Sequence, residues 1–125
     1  MSIAGAQWAA FGREVAAGQR VWTIRDGGGY PAPLTSEGKR SQPFWSSVER
    51  VRRILERAPA YRGFELEEIS WESFRDSWLP GLERDGLLVG VNWSGDAATG
   101  DDVTPAEARA RVEAELSKRA STGNG

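Results

Sequence analysis

The sequence predicts an α+β fold: a small, mostly antiparallel sheet with helices packed on one face, in the chain order αββαβαβα. Three observations carry that reading. Apolar residues recur at helical spacing behind good N-cap residues, and two glycine-bounded runs alternate or concentrate apolar residues as strands do. The chain of 125 residues also holds six tryptophans, which need a shared interior. At about 200 Å² each and about 25 cal/mol per Å², their full burial would contribute roughly 30 kcal/mol as an upper bound. Net stabilities are only about 5–15 kcal/mol, so most of these rings belong inside.

Ile3, Trp8, Phe11 and Val15 fit a first helix over about residues 3–17, with Gly18 as its stop. Val21 to Arg25 reads as a strand with Trp22 and Ile24 on one side. Asp26-Gly27-Gly28-Gly29 supplies a turn, and Tyr30 to Leu34 returns as a second strand that Pro31 and Pro33 restrict to an edge. A polar, basic loop over Ser36 to Gln42 leads to the apolar Pro43-Phe44-Trp45. Ser46 or Ser47 then caps a helix whose apolar stripe is Val48, Val51, Leu55 and Ala58. Arg50, Arg53 and Arg57 occupy its solvent side, and Pro59 ends it.

Phe64 and Leu66 alternate with Glu65 and Glu67 in a short strand leading to Ile69. Ser70 caps the next helix, which places Trp71, Phe74, Trp78 and Leu82 on a common face until Pro80-Gly81 bends or ends it. Leu87 to Trp93 is the strongest strand; Leu87, Val89, Val91 and Trp93 share one face, and Gly90 marks a close approach on the other. Ser94 to Asp102 reads as a loop. Thr104-Pro105-Ala106-Glu107 then combines an N-cap, an N1 proline and a capping-box glutamate. The last helix runs to about Lys118, so residues 1–118 form one domain and 119–125 a disordered tail.

Charge and composition bound the function. With 39% hydrophobic and 27% charged residues the balance is that of an ordinary globular domain. Eighteen acids against sixteen bases give a net charge of −2, which names no global electrostatic partner. There is no cysteine and no histidine, so the commonest nucleophile, general base and soft-metal ligand are missing. Arg13 and Glu14 interrupt the amino-terminal run before a signal peptide could form, and no stretch approaches the roughly 20 apolar residues of a membrane span. A cytoplasmic location is the expectation.

Val21 to Asp26, Pro43-Phe44-Trp45, Phe74 with Trp78-Leu79-Pro80-Gly81-Leu82, and Asp85 to Val91 follow one another in a particular order. In that order the chain resembles a small bacterial family, domain-of-unknown-function family DUF2750, over roughly residues 5–115. The resemblance implies a compact α+β domain of this size and carries no activity, substrate or catalytic residue. The helix after Trp45 departs from the family's pattern, because Arg50, Arg52 and Arg53 make it more basic.

Each candidate site has a plain structural alternative. The Asp26–Gly29 turn is no phosphate loop, since Tyr30-Pro31-Ala32-Pro33 cannot open a helix. Asp96, Asp101 and Asp102 could offer oxygen ligands to a hard cation, though not at calcium-loop spacing. Lys39, Arg40, Arg50, Arg52, Arg53, Arg57 and Arg62 concentrate basic charge, with Trp45 and Tyr61 flanking it as in single-strand binders. Glu49 and Glu56 stand at four-residue spacing to neutralise Arg53 and Arg52.

Trp71, Phe74 and Trp78 read as core. Glu65, Glu67 and Glu68 are adjacent acids without a sign of burial, and Ser46 and Ser47 lack an evident base. The reading is a non-enzymatic protein-interaction module of the immunity or adaptor type, with Trp45, Arg50, Arg53, Arg57 and Tyr61 as partner-binding residues. It names no catalytic residue, metal or cofactor. The alternatives are nucleic-acid binding through the basic helix 48–58 and a metal-dependent enzyme using the acidic loop 96–102.

Overall fold

A computed structural model describes residues 3–123. Helix α1 (Ile3–Gly18) leads into strand β1 (Arg20–Arg25), then β2 (Ser41–Phe44), α2 (Val48–Arg57), a 3-10 turn (Pro59–Tyr61) and β3 (Glu65–Ser70). Helix α3 occupies 71–84, followed by β4 (Leu88–Ser94), β5 (Thr99–Val103) and α4 (Pro105–Gly123). The α+β class stands, and one strand more than expected is present.

β1 pairs antiparallel with β3, from Arg20 opposite Ser70 to Arg25 opposite Glu65. A second sheet has the order β2-β4-β5, with β2 parallel and β5 antiparallel to β4. One antiparallel bridge joins the sheets: Trp22 and Trp45 exchange N–H···O bonds of 2.8 and 2.7 Å.

The expected partner of β1 is displaced. Asp26 and Gly29 do close a tight turn with reciprocal bonds of 3.1 Å, and the Asp26 carboxylate accepts the Gly28 N–H. Pro31 and Pro33 then offer no donors, so the returning chain makes no strand and β3 takes its place. β2 arises instead at 41–44, where the sequence reads as loop and apolar knot. Its Pro43 carbonyl accepts the buried Thr23 hydroxyl at 2.9 Å.

Helices cover both faces of the sheets, not one. The larger core joins Phe11 and Val15 of α1, Phe74 and Leu82 of α3, and Val112 of α4 to Val21, Phe44, Val89 and Val91. The smaller core, under α2, joins Val51, Ile54 and Tyr61 to Ile24, Trp45 and Trp93. β1 shows the division: Val21 belongs to the first cluster, Trp22 and Ile24 to the second.

Trp93 departs from the expected alternation. Asn92 adopts φ 48°, and the β4–β5 register shifts between Val91 and Ser94. This bulge turns Trp93 away from Val89 and Val91 into the α2 core.

The helix caps follow the sequence closely. The Ser47 hydroxyl accepts the Arg50 N–H, and Ser70 does the same for Ser73. Thr104 and Glu107 form a reciprocal capping box at 2.9 and 3.1 Å. α3 does not end at Pro80. Its Phe74–Trp78 segment is π-helical, and α-helix resumes at Leu79–Arg84. Pro80 has no N–H and its ring would crowd the carbonyl four residues back; the wider turn relieves both. α4 continues beyond Lys118 to Gly123, so residues 119–123 of the expected tail are helical. Residues 124–125 lie outside the described residues.

A candidate anion-binding cleft

Arg50, Arg53 and Arg57 stand three and four residues apart, a spacing that stacks side chains along one stripe of a helix. Opposite that stripe is the end of β4. Together the three arginines and Ile54 face Asn92, Trp93, Ser94 and Gly95 across a cleft of about 260 Å³. Among the described residues no carboxylate lines it.

A partly buried polar network fixes one wall. The Arg50 guanidinium makes a two-pronged contact with Glu14 of α1, Nε to Oε1 and Nη2 to Oε2, both at 2.9 Å. Glu14 Oε1 also accepts the Ser46 hydroxyl at 2.7 Å. Ser46 in turn accepts from the Asn92 amide at 2.9 Å and donates its backbone N–H to Asn92 Oδ1 at 2.9 Å. Ser47 caps the helix, so Ser46 is left to join α1, α2 and β4. The Arg50 hydrogen bond holds the Glu14 carboxyl below its usual range against a weaker desolvation effect, and Glu14 raises Arg50 in return.

Arg53 and Arg57 are exposed. Among the described residues neither makes an ion pair, and the expected Glu49–Arg53 and Glu56–Arg52 pairs do not form. The helix face therefore keeps charge that its own acids were expected to cancel.

The two aromatics named with these arginines lie inside. Trp45 is 0% exposed and its indole N–H donates to the Trp93 carbonyl at 2.8 Å. Tyr61 is 8% exposed and packs edge-on against Phe64 with ring centroids 5.4 Å apart; burial pushes its hydroxyl pKa up. Trp45 offers no surface to a partner, and Tyr61 offers only a small exposed edge. The residue that sequence reasoning missed is Trp93, which the Asn92 bulge delivers to the cleft wall.

The acidic loop comes apart as a site. Asp101 and Asp102 are consecutive residues of β5, so their side chains leave opposite faces, and Asp102 accepts the Ser41 hydroxyl at 2.6 Å. Among the described residues no three acidic side chains converge to hold a metal. No described helix is long and apolar enough to cross a membrane.

A family model described as "Protein of unknown function (DUF2750)" matches residues 8–111. No curated protein and no solved structure matches the chain.

Proposed function

The chain belongs to the DUF2750 family, and we propose that it is a protein-interaction module whose α2–β4 cleft engages an acidic surface on its partner. One observation carries this reading: three arginines line a single cleft that, among the described residues, no carboxylate lines. Arginine forks suit carboxylates and other planar or tetrahedral oxyanions, and they lose little rotamer freedom on binding. Arg50, braced by Glu14, is already oriented. An adaptor or immunity role in the cytoplasm is the biological setting this reading favours.

The nucleic-acid alternative is weaker on physical grounds. Single-strand binders stack bases on exposed aromatic rings, and Trp45 and Tyr61 are both buried. A net charge of −2 also limits long-range attraction to a polyanion. Fluorescence anisotropy with a labelled glutamate-rich peptide and a labelled single-stranded oligonucleotide compares the two directly. The peptide is expected to bind in low salt, and the Arg53→Glu/Arg57→Glu variant to lose it. Tighter binding of the oligonucleotide would replace this reading with the nucleic-acid one.

A further inference from the structure

We infer that the α2–β4 cleft is built for a phosphomonoester, the phosphorylated side chain of a partner or a free phosphorylated metabolite. The inference rests on the function proposed above and names the chemical group that the cleft takes.

Charge matching is the argument. Of the three arginines lining the cleft, Arg50 is neutralised by its two-pronged contact with Glu14. Arg53 and Arg57 are left as two positive charges with no ion-pair partner among the described residues. One carboxylate brings a single negative charge and would leave the site half compensated. A phosphomonoester brings about −1.5 to −2 near pH 7, with three strong acceptor oxygens. Two arginine forks can be satisfied by that group at once.

The remaining wall fits the same guest. The Ser94 hydroxyl accepts from the Gln7 amide at 2.6 Å, which ties the cleft edge to α1. Asn92 is tied to Ser46 and keeps its backbone in the left-handed region, which sets the Ser94–Gly95 edge beside the arginines. At about 260 Å³ the cleft exceeds the roughly 30 Å³ share of one water several times over. There is room for a tetrahedral group and the first atoms of its carrier.

The lack of histidine makes the idea unusually easy to test. The charged side chains lining the cleft are Arg50, Arg53 and Arg57 on α2, with Glu14 and Arg13 behind them on α1, Glu49, Arg52 and Glu56 elsewhere on α2, and Asp96 next to Gly95. Arginine stays protonated, and Glu14 is held below the ordinary carboxylate value of 4.5. Any change of affinity between pH 5 and 7.5 therefore belongs to the ligand.

Isothermal titration of the full chain at low salt, with one peptide carrying phosphoserine, glutamate or serine at a single position, tests the inference. Adenosine 5′-monophosphate serves as the soluble phosphomonoester. The phosphoserine peptide is expected to bind at least ~10-fold tighter than the glutamate peptide, and to weaken up to ~10-fold between pH 7.5 and 5 as the dianion with its second pKa near 6 takes up a proton. Arg53→Gln/Arg57→Gln should lose that binding with an unchanged melting temperature. The tighter of the phosphopeptide and the nucleotide identifies the source of the group. Equal, pH-independent affinity for phosphoserine and glutamate would overturn the phosphomonoester while leaving the acidic-partner reading intact. Failure of every anionic peptide would overturn both.

Discussion

The indole of Trp93 stands where a side chain on Gly90 would have to go: a β-carbon built on Gly90 comes 2.7 Å from the Trp93 Nε1. Three residues apart on an ordinary strand, these side chains would leave opposite faces. They meet because the bulge at Asn92, with φ 48°, resets the alternation of side chains between them. The sequence marked Gly90 for the close approach of another element, whereas the approaching group is a tryptophan of its own strand.

Gly90→Ala should therefore destabilise the protein by about 1–3 kcal/mol, the range for overpacking a filled core. Gly81→Ala is the control. Its β-carbon meets only the Arg84 Nη2 at 3.4 Å within a helix, so it should be neutral or stabilise by up to about 1 kcal/mol. Thermal unfolding of the pair checks this; equal melting temperatures would mean that Trp93 does not lie over Gly90.

Asn92 combines a left-handed backbone with a buried side chain bonded to Ser46. Asn92→Ala loses the amide and keeps the backbone strain, and should cost about 2–4 kcal/mol. Asn92→Gly loses the amide alone and should cost roughly 1 kcal/mol less. Denaturant titrations of both variants measure the difference, and a glycine variant less stable than the alanine one would contradict it.

The Glu14–Arg50 pair makes stability depend on acid. Because the folded-state pKa of Glu14 is lowered, its contribution is present in full above the ordinary value of 4.5 and fades as pH falls through the lower folded value. The pair is partly exposed, so about 1 kcal/mol is at stake. Glu14→Gln should lower stability at pH 7 and flatten its decline below pH 4.5. An unchanged acid limb in urea titrations from pH 3 to 7 would argue against the pair.

Arg53 and Arg57 should separate binding from folding. Both are exposed and unpaired among the described residues, so Arg53→Glu/Arg57→Glu should shift stability by less than about 0.5 kcal/mol. Arg50→Gln should cost about 1–2 kcal/mol, because it strips Glu14 of its main partner. Parallel melting curves rank the three arginines, and a large loss from the Arg53/Arg57 variant would give those residues a structural role.

Local signals were legible in the sequence wherever one residue type enforces one geometry. The caps at Ser47, Ser70 and Thr104, the 88–94 strand and the Asp26 turn all follow from such residues. What stayed hidden depends on partners far along the chain. β2 contains Pro43 and no β-branched residue, and it becomes a strand because β4 lies alongside it. β5 reads Thr-Gly-Asp-Asp-Val, with no apolar alternation, and is ordered by the same neighbour.

The cleft divides in the same way. The spacing of Arg50, Arg53 and Arg57 put them on one stripe, but nothing local names Asn92 to Gly95 as the opposing wall. Trp45 and Tyr61 look like surface aromatics beside basic residues. A bridge to Trp22 and the floor of the α2 core bury them.

On the function proposed, the arginine stripe and the bulged end of β4 form one anion-receiving surface. Nuclear magnetic resonance titration with a glutamate-rich peptide locates that surface directly. Saturable shifts are expected at the Trp93 indole N–H and the Ser94 and Gly95 amides, lost in Arg53→Glu/Arg57→Glu. Shifts elsewhere that survive that double substitution would contradict that reading.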